Sequence, residues 1–266
     1  MIHIATVHWE FDDWVDIQLK YLHKHIREPF QVYAYLNKLK HDHSEKFYYS
    51  STDDIESHPL KLNLLAEHIV KDAGDDDLLV FIDGDAFPIA DIVAHGRDRL
   101  KDYRLIAIQR KENFGDIQPH PAYCMTTVKF WKDIKGDWQN GYVWRNLRGE
   151  SVRDVGGNLL KLLLDNRIQW YPMVRSNRQN LHPLFFGIYD NVVYHHGAGF
   201  RRQYCRMDAV NDGKVNELDE MGYLRRKMLQ FIYKRKRSRT IKYNEMIAAD
   251  VFNRIMNNES FYKDFI

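Results

Sequence analysis

The chain has 266 residues, 44% of them hydrophobic, 29% charged and 14% aromatic, a balance that suits one large folded unit and excludes global disorder. Its two cysteines, Cys124 and Cys205, exclude a disulfide scaffold and fit a reducing compartment. The net charge is +2, yet nine basic residues lie between 221 and 243 with no acid among them, which leaves −7 for everything else.

The opening segment, MIHIATVHWEFDD, has no basic stretch ahead of an apolar one, so no signal peptide is expected. Residues 78–82 form the longest apolar run near the middle, far short of a bilayer span. The expectation is a soluble, cytoplasmic protein. Residues 2–7 are β-branched and strand-like, and 14–26 carry Trp14, Ile17, Leu19, Leu22 and Ile26 at helical spacing. Residues 30–36 alternate like a strand. Residues 60–70 place Leu60, Leu64, Leu65 and Ile69 on one helix face, and 78–82 read as a buried central strand. This alternation predicts an α/β protein with a mostly parallel, twisted sheet flanked by helices. Further strands are expected at 104–109, 122–127 and 191–195, a helix from 159, and helix from 215 to the end. Residues 1–205 are expected to form one domain and 206–266 a basic helical appendage.

The most informative segment ends the buried strand: Asp83-Gly84-Asp85. Ligands of open parallel sheets sit beyond the carboxyl ends of the strands, and two carboxylates there can hold Mn²⁺ or Mg²⁺ through hard oxygen ligands. A plain Asp-Gly turn is the alternative. A phosphatase of the haloacid-dehalogenase type also carries Asp-x-Asp after a strand, but has Thr or Val where this chain has Phe87.

A second cluster is His195-His196-Gly197 with Gly199, Arg201 and Arg202. Adjacent strand residues face opposite ways, so one histidine can complete a metal site while the other packs. The arginines can bind a diphosphate bidentately. The alternative is a core histidine beside solvated arginines. Asp154, ahead of Gly156, Gly157 and a helical run, is either a helix cap or a group that accepts a proton from a hydroxyl. Trp131, Trp138, Tyr142 and Trp144 read either as a sugar-stacking platform or as core. The segment 118–123, with His120 between two prolines, can turn near an acceptor.

In this order, Asp83-Gly-Asp85, Asp154 and His195-His196 resemble the nucleotide-sugar glycosyltransferases of the GT-A fold. The resemblance covers roughly residues 1–205. Locally it is similar to the glycogenin-like and bacterial galactosyltransferases: His196, Gly199 and Arg202 fall at the offsets of a late His-Gly-Lys motif, with arginine for lysine and no Pro-Trp after it. Asp154-Val-Gly156 matches the acceptor-side Asp-x-Gly.

The resemblance implies transfer of a sugar from a nucleoside diphosphate, a uridine diphosphate sugar in the first place, to a hydroxyl of a saccharide or lipid-linked acceptor in cell-surface glycan synthesis. It implies Mn²⁺ or Mg²⁺ on Asp83, Asp85 and His196, with His195 as the alternate. Donor contacts would come from Thr6, Val7, His8, Lys61, Asp83, Arg201 and Arg202. Asp154 would be catalytic, and Trp144, Gly156 and Gly157 would meet the acceptor. Inversion and retention both stay open. Two other readings stand beside this one: a non-catalytic carbohydrate- or membrane-surface-binding module, and a nucleotidyltransferase, for which the segment after the first strand lacks a glycine-rich phosphate loop.

Residues 224–243 read as an amphipathic helix with a dense cationic face, able to touch anionic lipid at about 1 kcal/mol per basic residue. A solvated helix or an oligomer contact is the alternative. No nucleic-acid-reading motif accompanies it.

Overall fold

The structure, a computed structural model, describes residues 1–197, 199–200, 202–214 and 223–266. In chain order the elements are β1 (Ile2–Trp9), α1 (Asp13–His25), β2 (Phe30–Asn37), β3 (Tyr49–Ser51), α2 (His58–Asp72), β4 (Leu78–Asp83) and β5 (Ala86–Pro88). There follow α3 (Ile92–Arg99), β6 (Leu105–Ile108), β7 (His120–Thr127), α4 (Val128–Asp133), β8 (Trp144–Arg145), β9 (Ser151–Val152) and α5 (Gly157–Asp165). The chain closes with β10 (Tyr171–Met173), β11 (Gly187–Tyr189), β12 (Val193–His195), α6 (Arg206–Asn211) and α7 (Tyr223–Asn257).

Seven strands form one sheet in the order β10-β6-β7-β4-β1-β2-β3. β1 pairs parallel with β2 and β4, β2 with β3, and β10 with β6. β7 alone runs against its neighbours β4 and β6. The sheet is therefore mixed rather than wholly parallel, because the link from β6 to β7 returns along the same edge without a crossover helix.

Strand alternation divides the core in two. Ile4, Val80 and Ile82 pack with Val15 and Leu22 of α1 on one face, while Ala5, Leu79 and Phe81 pack with Leu62, Leu65 and Ile69 of α2 on the other. Both faces of β4 are apolar because both are covered.

Trp131 and Trp138 belong to the second core, packed around Phe81 with centroids 4.7 and 5.1 Å away, the first ring tilted and the second edge-on. Trp144 is buried as well. A sugar-stacking platform of these three indoles is therefore ruled out, since their faces are already spent on core packing.

A small antiparallel sheet, β11-β12-β5, adjoins the large one. It packs on α1 and on the far end of the chain: Trp14, Ile17, Tyr21, Phe87 and Tyr194 share a third core with Ala248, Val251, Ile255, Phe261 and Phe265. α7 is thus docked along its second half. Among the described residues no helix is long and apolar enough to cross a membrane.

Candidate active site and metal centre

β4 ends at Asp83, and the chain turns through Gly84 into β5, changing sheets within three residues. A Cβ on Gly84 would sit 2.5 Å from the Val7 carbonyl oxygen and 2.9 Å from His8 Nδ1, so only glycine lets this turn lie against β1. Gln18, fully buried in α1, pins it: Nε2 donates to the carbonyls of Asp83 and Ala86, each at 2.8 Å. Its Oε1 accepts from Thr6 Oγ1 at 3.0 Å and lies 3.2 Å from His8 Nε2.

β12 brings the third ligand. In its register with β5, His195 stands opposite Ala86, one residue from Asp85. Its Nε2 lies 3.4 Å from Asp85 Oδ1 and 3.8 Å from Asp83 Oδ2. The nearest ligand atoms of Asp83, Asp85 and His195 all fall within 4.8 Å of one another. Asp85 Oδ2 also accepts the Gly199 amide at 2.9 Å. Burial alone would push the Asp85 carboxyl up. The charge and hydrogen bond of His195, His196 and the Gly199 amide together outweigh it and hold the group well below the usual carboxylate range.

The histidine that faces the carboxylates is therefore His195. His196, the first expectation from the sequence, points the other way: its ring lies 4.8 Å from Trp14 and its Nδ1 is 3.0 Å from Tyr194 Oη. Burial drives its pKa down to about 4, as suits a neutral, packed ring.

The cluster fits a divalent cation by its donor chemistry. Two carboxylates and one imidazole offer hard oxygens and a borderline nitrogen, a set that suits Mn²⁺. Asp83 Oδ1 is buried and accepts no hydrogen bond, although His58 Nε2 lies 3.1 Å from it as an ion-pair neighbour.

The cluster lines a cavity of about 400 Å³ together with Val7, Trp9, His58, Lys61, Arg110, His120, Asp154 and Phe200. Lys61, buried in α2, holds its ammonium 4.3 Å from the Trp9 ring centroid, and Lys38 lies 4.2 Å from the same centroid. Asp154 reaches the cavity beside Arg110, whose Nη2 donates to Asp154 Oδ2 at 3.0 Å. That guanidinium also lies 3.6 Å from buried Asp116.

Asp154 does not cap α5. The N-cap is Gly156, in the left-handed region at φ +86°, where a Cβ would sit 2.2 Å from the Pro119 carbonyl oxygen. Gly156 and Gly157 serve this close packing and do not line the cavity, nor does Trp144.

Of the expected donor contacts, Val7, Lys61 and Asp83 reach the cavity. Thr6 and His8 lie on the other face of β1 and bind Gln18, as alternation requires. Arg202 is exposed and lies beside Lys234 and Arg237 of α7, away from the carboxylates. Arg201 lies outside the described residues. Arg110, His58 and Trp9 line the cavity and Gln18 pins its turn, although no sequence motif points to them, while His120 lines it from the segment expected to turn near an acceptor. Arg110 lies two residues beyond the end of β6, close to the kind of strand end that singles out Asp83.

His8 gives a stability prediction. Burial lowers its pKa to about 4, chiefly opposed by its bond to Gln18. Unfolded, it titrates near 6.5, so between these values the unfolded chain binds the extra proton. Stability is full above pH 6.5 and falls on acidification toward pH 4 by up to about 3 kcal/mol from this residue alone. Urea unfolding across that range should show the decline, and His8→Gln should make it shallower, leaving the part that buried His196 contributes.

No protein-family model matches the chain, and no curated protein does. Among solved structures, the mannosyltransferase PcManGT from Pyrobaculum calidifontis, in complex with GDP-Man and Mn²⁺, is similar over 64% of this chain and 54% of its own, at 10% identity and a TM-score of 0.45. TarS of S. aureus is similar over 52% of this chain and 30% of its own, at 12% identity and a TM-score of 0.37. The glycosyltransferase GlyE of Streptococcus pneumoniae TIGR4 is similar over 63% and 44%, at 12% identity and a TM-score of 0.39. This chain thus spans about half or less of the length of each.

Proposed function

We propose that the protein is a metal-dependent glycosyltransferase that moves a sugar from a nucleoside diphosphate to a hydroxyl of a saccharide or lipid-linked acceptor. The observation that carries this reading is the meeting, in one cavity, of the Asp83–Asp85–His195 cluster, an ammonium with no carboxylate partner among the described residues and an arginine-held carboxylate. A cation binds the first, a diphosphate the second, and a hydroxyl the third.

Asp83, Asp85 and His195 would hold Mn²⁺ or Mg²⁺, which when bound neutralises charge on a leaving diphosphate. Lys61 adds a fixed positive charge from α2 where the diphosphate would lie. Trp9 and Val7, at the end of β1, offer an apolar wall for the nucleoside. Asp154 accepts a hydrogen bond from the incoming hydroxyl. Arg110 at 3.0 Å fixes its direction, which suits it to orienting the hydroxyl. The charge stabilisation and positioning described here require no protein nucleophile.

The test is a thermal-shift titration with UDP, GDP and CMP, each with and without Mn²⁺. A nucleotide at a hundred times its dissociation constant stabilises the fold by about 2.7 kcal/mol, a rise on the order of 5–10 °C for a chain of this size. One diphosphate should shift the melt in a Mn²⁺-dependent way, UDP being the first expectation. If none does, the cavity is not a donor site.

A further inference from the structure

α7 has two unlike halves. From Ile241 onward it is docked: Ile241, Ala248, Val251 and Ile255 are buried, and Asn244 Nδ2 donates to the Gln203 carbonyl at 3.0 Å. Ahead of that point its inner edge is held by two hydroxyl contacts. Thr240 Oγ1 donates to Asp212 at 2.9 Å, and Tyr233 Oη lies 3.4 Å from Tyr204 Oη.

The opposite edge is a continuous solvent-facing row. Met228, Phe231, Arg235, Arg239, Lys242 and Met246 follow one another at intervals of three and four and share one helix face. The apolar members are well exposed, Met228 at 57%, Phe231 at 66% and Met246 at 61%. Ile232 and Tyr243 widen the row on one flank at 40% and 58% exposure. Among the described residues, Arg235, Arg239 and Lys242 make no ion pair, whereas Arg254 near the end of α7 meets Asp250 and Asp264.

We propose that this outer face of α7 seats the protein on an anionic lipid bilayer, with Phe231, Met228 and Met246 entering the acyl boundary and Arg235, Arg239 and Lys242 meeting lipid phosphates. The face combines apolar side chains that can enter the acyl boundary with basic ones whose long stems can reach back to the phosphates. Over the 228–246 stretch it runs about 27 Å along its axis, long enough to lie flat on the surface.

Its charge rules out a second copy of the same face, which would set one arginine row against another. Nucleic acid would satisfy the cations but leave Phe231 and the two methionines without an apolar partner. This attachment is independent of the transfer chemistry in the cavity, since none of these side chains lines it.

The test is co-sedimentation of the full chain with vesicles of phosphatidylcholine alone and of phosphatidylcholine mixed with phosphatidylglycerol, at low and high salt. Binding is expected to the mixed vesicles only, weakening with salt. The variant R235Q/R239Q/K242Q should partition less well by on the order of 100-fold, at about fivefold per basic residue. F231S should lower partitioning by about tenfold while keeping the salt dependence. All four positions are exposed, so both variants should melt with the parent. Failure of the parent to bind mixed vesicles would overturn the proposal. So would equal partitioning of both variants and the parent, or retention on single-stranded RNA without retention on vesicles.

Discussion

Asp85→Asn is expected to abolish the Mn²⁺-dependent nucleotide shift and to lower sugar transfer by on the order of 1000-fold, while the protein stays folded. The substitution removes one negative charge and one hard ligand but keeps the shape of the side chain. The amide oxygen can still accept the Gly199 N–H that Asp85 Oδ2 accepts at 2.9 Å, so the turn from β4 into β5 and the loop after β12 stay joined. What changes is the other oxygen, 3.4 Å from His195 Nε2. An NH₂ group there cannot bind a cation and faces the imidazole with a donor.

Asp83→Asn should be milder, because Asp83 lies at 3.8 Å from His195 against 3.4 Å for Asp85 and is less buried. His195→Gln should fall between the two, and His196→Gln should leave metal affinity unchanged while costing stability. Calorimetric titration of Mn²⁺ in the presence of the diphosphate ranks the four. Unchanged turnover in Asp85→Asn would remove the metal from the reaction.

The strand-and-helix rhythm of residues 1–90 was readable because each element carries its own pattern. The apolar run that became β4 and the spacing of Leu62, Leu65 and Ile69 in α2 need no distant partner to be recognised. Asp83 and Asp85 were legible for the same reason: a strand end is a local fact, and the ligand rule for parallel sheets does the rest.

The choice between His195 and His196 was not local. Alternation says only that they diverge; which one faces the carboxylates depends on β12 pairing with β5 in the register His195 opposite Ala86, and a chain segment over a hundred residues away sets that. Motif offsets chose His196, and the register chose His195. The reversal of β7 was hidden likewise, because antiparallel pairing shows in the connection and not in the strand's composition. Thr6 and His8 were misassigned by treating a strand end as a single surface, although Val7 between them faces the cavity and they face Gln18. The tryptophans at 131 and 138 carry no local sign of burial; only packing on Phe81 makes them core.

Lys61→Met is expected to make the protein more stable and worse at binding a nucleoside diphosphate. Lys61 is 1% exposed, and among the described residues no carboxylate lies within 4 Å of its ammonium. Burial is the main force that lowers its pKa to about 8; Asp54 opposes this weakly and Lys38 adds to it. In the unfolded chain the same lysine titrates near 10.4.

The sign follows directly. Between pH 8 and the unfolded value the unfolded chain binds more protons, so parent stability rises with pH across that window. Below pH 8 the penalty is present in full. Methionine fills a similar volume with no charge to desolvate, so at neutral pH the variant should gain on the order of 2 kcal/mol and melt about 4–8 °C higher. Its stability should also lose the alkaline rise.

The same change removes the cation that a diphosphate would meet. A hydrogen bond to a charged group contributes about 1.5–3 kcal/mol, so UDP or GDP should bind on the order of 10- to 100-fold more weakly with Mn²⁺ present. Differential scanning calorimetry and nucleotide titration on one preparation read both effects. A buried ammonium kept for structure would give the opposite pair, a lower melting temperature with unchanged nucleotide affinity. A gain in stability with a loss in binding is the expected signature of a charge held in the cavity for its ligand.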